Sequence, residues 1–544
     1  MQLRVDIHNR TYDSWDFTQD DVKVDIPNLI PSKHKLFHND VFLINNYENP
    51  VVIIAESVIR DSFIAGVLIL NKTYGRSGKR LLYKCIPDNK LLPVFLVPYD
   101  IRISFTKVVK NKYIVFRFTE WETDHPHGEI KETLGDVDCS KAFNEYQLYK
   151  RGLHISLSTF ANVTRSLIKR TGNEEATYIQ TILNVSKYGI EDYRSIDDVF
   201  TIDPAGCTDF DDAFSVSIEN DECTVNVYIA NVYVWLETYG LWEHMTNRVS
   251  TIYLPDKKHP MLPPILSDDL CSLKQGSERF AFMMSLKYDM RNRTQIGEPV
   301  FKNVLVCVKK NYDYEDKKLN KNSAYKVLRT LAQTEDSHDV VAFWMIKMNT
   351  VSAEYLRNSG KGIFRSSETS SRSPNTIPQT MLHWLGNYSS SAIYSTVSAP
   401  HNQLGVNSYV HITSPIRRLV DILNQIQMNT EISESCQLFL EKWQNNLIFV
   451  NRATKEIRKT QMDCELLALT EKINFAENNE YSGILFDQHF INGKYEYAVY
   501  IEELKMMSRI KLPECVENFT KLQFRVFVFN DEDRLCKKIR LQIV

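Results

Sequence analysis

Residues 201 to 213 read Thr-Ile-Asp-Pro-Ala-Gly-Cys-Thr-Asp-Phe-Asp-Asp-Ala, which sets Asp203, Asp209, Asp211 and Asp212 within ten positions of one another. Four carboxylates this close repel one another unless a cation sits among them. Mg²⁺, a hard ion that takes one or two carboxylates directly and leaves its other positions to water and phosphate, is the natural occupant. A bare D-x-D-D fits a solvated acidic loop as readily. An EF-hand loop fits worse, because no Gly stands at the sixth position and no Glu at the twelfth. Far along the chain, Arg417 and Arg418 follow Thr413-Ser414-Pro415-Ile416. Guanidinium is a planar fork of donors suited to phosphate oxygens. Adjacent arginines on a helix start point in different directions, so the two are expected to do different jobs. Thr413 or Ser414 is expected to cap that helix, with Pro415 in its first turn.

The elements that must hold these groups are legible in outline. Val199-Phe200-Thr201-Ile202 is a β-like lead-in that delivers the acids into a Pro/Gly turn. Residues 1 to about 135 read as short β-branched and aromatic strands at the spacing of small barrels, among them Val51–Ala55, Phe63–Leu70, Val94–Val97 and Tyr113–Phe118. Phe105, Lys107, Lys110, Tyr113, Phe116 and Arg117 interleave aromatic and basic types, which suits a nucleic-acid stacking platform, although for any single aromatic ordinary barrel core is the more usual role. Residues 140 to 195 mix helix and charged linker. Two stretches free of Gly and Pro, 325–358 and 432–474, carry helical periodicity, and Arg452, Lys455, Arg458 and Lys459 cluster on the second. Ser366 to Pro378 is a polar, Ser-rich loop. From Tyr481 the chain returns to β.

The 544 residues are too many for one core, so two to four domains are expected. A hydrophobic content of 43% and a charged content of 24% are ordinary for a globular chain. The net charge of −3 does not by itself point to nucleic acid. No run of about 18 apolar residues exists, so no membrane-spanning helix is expected. The start, Met1 to His8, lacks the apolar stretch of a signal peptide. Ten cysteines without a C-x-x-C pair argue against a zinc ribbon and for free thiols in a reducing compartment.

The words around the acids resemble the RNase II/R (RNB) family of exoribonucleases, most closely its eukaryotic exosome-nuclease branch. T-I-D-P followed by D-x-D-D-A is that family's signature. Val227–Val232 resembles its V-H-I-A-D-V strand, and Arg248–Lys274 its T-S-V-Y-L…P-M-L-P…L-C-S-L block. Glu278–Phe282 resembles D-R-x-A-F, and His401–Asp421 the block ending T-S-P-I-R-R-Y-x-D. The likeness spans roughly residues 190 to 480. It implies a multidomain α+β chain: an RNB catalytic domain at 190–480, flanked by OB-fold β-barrels. These are an abbreviated cold-shock domain at 1–49, a second at 50–138, a helical linker at 139–189 and an S1-type domain at 481–544. His125-Pro-His-Gly128 resembles the close of the second cold-shock domain.

The resemblance also implies chemistry. Asp203, Asp209, Asp211 and Asp212 would bind Mg²⁺, with two ions possible and Mn²⁺ as a substitute. Asp211 would be the most sensitive position, and Asp203 either a ligand or a residue that orients the turn. Arg417 would clamp the reacting phosphate. Arg418 would bind RNA or pair with Asp421. Tyr253 would stack on the RNA near its 3′ end, its alternative being a core tyrosine. Arg279 and Arg365 are conceivable phosphate ligands, whereas His411 reads as structural. The implied activity is processive 3′→5′ hydrolysis of single-stranded RNA to nucleoside 5′-monophosphates. Its alternatives are an inactive RNA-binding regulator of the same fold and a DNA nuclease. The expected setting is a monomer in the cytoplasm or nucleus, off the membrane. Exosome association is not expected, since no PIN domain precedes the barrels. Some residues depart from the family pattern. Asn231 stands for Asp, Tyr233 for Ser or Thr, and Gln425 for His, and Phe364-Arg365-Ser366-Ser367 is an eroded form of L-R-R-H.

Overall fold

The computed structural model describes the chain except for residues 1, 47–49, 102–108, 173, 196–197, 368–391, 473–479, 492, 505 and 532–535. It divides into two compact units. One comprises Met1–His154, Leu254–Lys257 and Arg458–Val544; the other comprises Ile155–Tyr253 and Lys258–Ile457.

The first unit holds three five-stranded antiparallel sheets. Alternation builds the first: Gln2–Ile7 buries Leu3, Val5 and Ile7 and turns Gln2 and Arg4 outward, as a half-buried strand does. The fifth strand of this sheet, Val52–Glu56, lies beyond the expected boundary at residue 49 and pairs with Val41–Ile44. The second sheet runs from Phe63 to Asp136. At its close, a Cβ on Gly128 would come within 2.7 Å of the Phe116 ring, so the strand after His125-Pro-His can pack there only as glycine. Both sheets share one core, in which Phe37 stacks on Trp121 at 4.8 Å. That core overturns part of the stacking-platform expectation. Tyr113 and Phe116 are buried, Arg117 pairs with Glu129 and Lys110 with Asp138. Phe105 and Lys107 lie outside the described residues. The third sheet runs from Glu480 to Ile543. Its Tyr497 hydroxyl donates to the Val516 carbonyl at 2.8 Å and accepts from the Val516 amide at 2.7 Å.

The second unit is built on a seven-stranded mixed sheet. Its strands, in spatial order, begin at Glu191, Thr294, Glu278, Glu222, Asp212, Phe200 and Lys310. One face packs on helices Ser323–Ala332 and Ser337–Asn358, with Trp344 at the centre. The expected single helical stretch is broken there. Gln333 adopts left-handed φ 55°, and Asp336 caps the second helix by accepting from the His338 and Asp339 amides. The stretch 432–474 likewise forms two helices, Glu434–Gln444 and Leu447–Lys472, and Arg452, Lys455 and Lys459 are exposed on the second. Beyond Ser367 the Ser-rich loop lies outside the described residues. All the described cysteines are free thiols, and no described helix is long and apolar enough to cross a membrane.

Candidate active site

The strand Phe200–Asp203 is buried along its whole length between strands Asp212–Glu219 and Lys310–Asp313. It ends on Asp203 and turns at once. The Cys207 amide donates to the Pro204 carbonyl at 3.1 Å, and Gly206 sits at φ 80°. Pro-Ala-Gly-Cys is therefore a type II turn, which demands a positive φ at its third residue. The loop beyond is clamped: Ser272 Oγ donates to the Thr208 carbonyl and accepts from the Phe210 amide. Asp212 then starts the next strand, and the Asp211 carbonyl just before it accepts from the Ala230 amide at 2.8 Å. The four acids thus end on one edge of the sheet because a tight turn and an antiparallel strand carry the chain back on itself.

Their environments differ. Both Asp211 oxygens are engaged: the Ile416 amide donates to one at 3.0 Å and Arg417 Nε to the other at 3.1 Å. Both Asp209 oxygens are engaged too, by Tyr253 Oη at 3.0 Å and Lys258 Nζ at 3.1 Å. Asp203 and Asp212 are less well served. One oxygen of each is buried without a hydrogen bond among the described residues. The electrostatics follow from this. Burial, then repulsion from Asp209 and Asp313, pushes the Asp203 carboxyl up to about 7, although Thr201 and Arg417 pull the other way. Burial also pushes Asp211 up to about 7, against the pull of Arg417 and the Ile416 amide. Burial with repulsion from Asp203 and Asp211 pushes Asp212 well above the usual carboxylate range. A surplus of buried negative charge needs protons or a cation.

The donor set fits a divalent cation of the Mg²⁺ kind, being all oxygen and short of positive charge. Asp203 and Asp212 have free buried oxygens to offer. Among the described residues, no three carboxylate, imidazole or thiol groups are drawn together tightly enough to cage an ion without further ligands.

Of the other expected residues, Arg417 lies at the site. Its Nη2 donates to Ser414 Oγ at 2.9 Å, and 43% of its side-chain surface is open. Burial works against its charge, yet Asp211, Tyr253 and Asp421 outweigh burial and keep it a cation. Arg418 points elsewhere and pairs with buried Asp421 at 2.8 Å. The expected cap at Thr413 or Ser414 is not formed. The helix begins only at Leu419, with Arg418 as its N-cap, and Pro415 lies in a turn before it. Asp421, in the helix's first turn, reaches back to accept from the Ser414 amide at 2.7 Å and shapes that turn instead. Tyr253 is 38% exposed, so its ring is open while its hydroxyl is fixed on Asp209.

Arg279 is no phosphate ligand. It is buried, donates to the Ser272 carbonyl at 2.9 Å and pairs with Glu175. Arg365 stands 2.9 Å from buried His411, whose other ring nitrogen meets Tyr394 Oη. The departures are absorbed by local bonding. Asn231 accepts from the Val234 amide and donates to Asn303 at 2.8 Å, a donor that Asp would lack. Tyr233 Oη donates to the Glu431 carbonyl, and Gln425 to the Ala230 carbonyl beside the acidic strand. Phe364–Ser366 is a short strand paired with Ile393–Ser395. Two residues at the site went unforeseen. Lys258 is the cross-strand partner of Tyr253, a register that the intervening Pro255-Asp256 turn could have suggested. Asp313 lies beside Asp203 on a parallel strand, for which the sequence holds no local signal.

Comparison with known proteins gives this fold and site a class. The RNB domain family matches residues 190–321 and 311–434. Ribonuclease R of Chlamydia muridarum is 24% identical over 65% of this chain and 63% of its own length. Human exosome complex exonuclease RRP44 is 26% identical over 47% of this chain and 25% of its own length. The chain therefore spans less than two thirds of either relative. Among solved structures, apo Mycoplasma genitalium RNase R superposes over all of both chains with TM-score 0.69 at 16% identity. Yeast Ssd1, described as a pseudonuclease, covers 96% of this chain and 80% of its own with TM-score 0.59 at 14% identity. Residues 190–434 thus carry an RNB domain, similar to those of Ribonuclease R and the exosome exonuclease, in a chain with the multidomain α+β architecture of RNase R.

Proposed function

We propose that this chain is a Mg²⁺-dependent, processive 3′→5′ exoribonuclease that hydrolyses single-stranded RNA to nucleoside 5′-monophosphates. The observation that carries this reading is the pair of buried, unpartnered carboxylate oxygens on Asp203 and Asp212 beside the open guanidinium of Arg417. Water attacks the terminal phosphorus, the bond from phosphorus to the 3′ oxygen of the preceding nucleotide breaks, and that oxygen leaves with a proton. A divalent ion, when bound, would lower the pKa of the attacking water and neutralise the leaving oxygen. Asp203 and Asp212 would hold the ion. Asp211 supports its ligation and fixes Arg417, whose free donors meet the non-bridging oxygens as charge develops on them. Among the described residues Arg417 Nη1 has no hydrogen bond, so a donor is available without breaking the Asp211 pair. The exposed ring of Tyr253 stacks on a terminal base, and stacking accepts any base. Arg418, tied to Asp421, contributes to RNA binding through the turn that it stabilises.

Likeness to a pseudonuclease favours a second reading, an RNA-binding protein without hydrolysis. One experiment separates the two. Pure protein is incubated with 5′-labelled single-stranded RNA, with Mg²⁺ or with chelator. A Mg²⁺-dependent conversion to one short labelled product supports the nuclease; intact label with retained RNA binding supports the other. A monomer acting in the cytoplasm or nucleus is part of the same proposal.

A further inference from the structure

The hairpin formed by Ile252–Tyr253 and Lys258–His259 brings a second cation to the acids. Lys258 Nζ lies 3.1 Å from Asp209 Oδ1, 2.8 Å from Asp268 Oδ1 and 3.1 Å from Thr208 Oγ1. An ammonium has three donor hydrogens, and these three partners occupy them all. Only a quarter of the side chain is exposed, so the charge is fixed between two carboxylates. Tyr253 Oη takes the other Asp209 oxygen. Asp209 is thereby surrounded by donors, as a carboxylate serving a metal would not be, while Asp203 and Asp212 keep free buried oxygens. Lys258 and Arg417 offset only part of the charge of Asp203, Asp209, Asp211, Asp212, Asp268 and Asp313, and the remaining negative surplus calls for a divalent ion.

We propose that Lys258 is a resident cation of the active site, taking the place of one divalent ion at Asp209, so that the chain holds a single divalent ion on Asp203 and Asp212. This rests on the metal-dependent reading of the site. A fixed ammonium beside Asp209 supplies charge without exchange, and through the Tyr253–Asp209 bond it also anchors the stacking ring. Lys258 is a positioning residue in this scheme.

The test counts ions. Mn²⁺ is titrated into the full chain without RNA at pH 8, and free Mn²⁺ is read by electron paramagnetic resonance. Wild type is expected to bind one Mn²⁺ per chain, and so is Lys258→Arg, which keeps the charge. Lys258→Met, which keeps the length, is expected to bind two, and Lys258→Met with Asp209→Asn to return to one. Two ions on wild type overturn the proposal without recourse to any variant. One ion on both wild type and a folded Lys258→Met, verified by its melting transition, overturns it as well. Those results leave the metal site standing. No Mn²⁺ on any protein overturns the metal-dependent reading itself and this inference with it.

Discussion

Asp203→Asn offers a sharp test of the electrostatics, because activity and stability should move in opposite directions. The carboxyl is buried, has one oxygen without a partner, and sits at about 7 against an ordinary 3.8. A group whose folded value is raised binds its proton more tightly folded than unfolded. Its contribution is therefore most favourable at low pH and is lost as pH rises from about 4 through 7. A rise of roughly three pH units corresponds to about 4 kcal/mol at pH 8. That figure is net of the attraction to Arg417, which already acts on the folded value. Asn has the same shape without the charge. In chelator at pH 8, the variant should therefore be more stable than wild type by up to about 4 kcal/mol, with melting higher by several degrees. At pH 5 the advantage should shrink to under about 2 kcal/mol, because wild-type Asp203 is then protonated in the fold.

Mg²⁺ should reverse the order. An ion that binds only the folded state raises stability by mass action, and the variant has lost one of the two free oxygens that would receive it. Thermal melts of both proteins at pH 5 and 8, with chelator and with Mg²⁺, give the full comparison, and hydrolysis of labelled RNA at pH 8 should be abolished in the variant. A variant that melts at or below wild type in chelator at pH 8 would refute the reasoning, since Asp203 would then be making net favourable interactions in the metal-free fold.

Asp211→Asn should cut hydrolysis at least tenfold, a loss of about 1.4 kcal/mol of transition-state stabilisation, while RNA retention on a filter stays near wild type. Arg417→Ala should slow single-turnover hydrolysis more than it weakens RNA binding, and Arg417→Lys should rescue only partly, because a point charge lacks the fork; an affinity defect alone would make Arg417 an ordinary backbone contact. Tyr253→Ala should still degrade long RNA but stop at a longer end product, because losing roughly 1–3 kcal/mol of stacking per base matters most when few contacts remain; sequencing gels run to completion read this directly. His401, pushed down to about 4 by burial and then by Arg365, binds its proton better unfolded. Wild-type stability from this source should therefore fall as pH drops from about 6.5 towards 4, and His401→Gln should flatten that slope in urea melts.

What was legible in the sequence was local. Asp203 to Asp212 lie within one turn and the start of one strand, so the spacing of the acids and the Pro-Ala-Gly turn could be read together. Arg417 was legible through its motif, but the helix start beside it was not. Ser/Thr-x-Pro reads as a cap, and the structure uses Asp421 from inside the helix to hold the turn instead. Pairing over long distances was hidden. Asp313 reaches Asp203 by parallel pairing, and Lys258 reaches Asp209 through a hairpin register that shifts by a side with every residue. The same limit explains the misread barrel aromatics. Lys110, Lys112 and Arg117 set among Tyr113 and Phe116 read as a stacking face, yet neighbouring strands and packing bury Tyr113 to Phe116 on both faces of the strand. The fifth strand of the first sheet looked like the start of the next domain because nothing in Val51 to Ala55 names its partner.

The stability argument also bears on whether the site is active or vestigial. Buried carboxylates without partners destabilise a fold, and replacing them with neutral groups of similar shape relieves it. In this chain the acids are compensated unequally: Lys258 serves Asp209, and Arg417 with the Ile416 amide serves Asp211. Asp203 and Asp212 repel each other, and each is left with one buried oxygen that has no hydrogen bond among the described residues. In a protein that only bound RNA, these two would be the positions where a neutral residue gained most, and binding would lose nothing by the change. A chain that carries the charge where it costs the fold most, at the mouth of a type II turn and beside an arginine with free donors, is arranged to receive a cation and a phosphate. That arrangement favours hydrolysis over scaffolding, and it predicts that neutralising either Asp203 or Asp212 produces a protein that is more stable in chelator, still binds RNA and no longer cuts it.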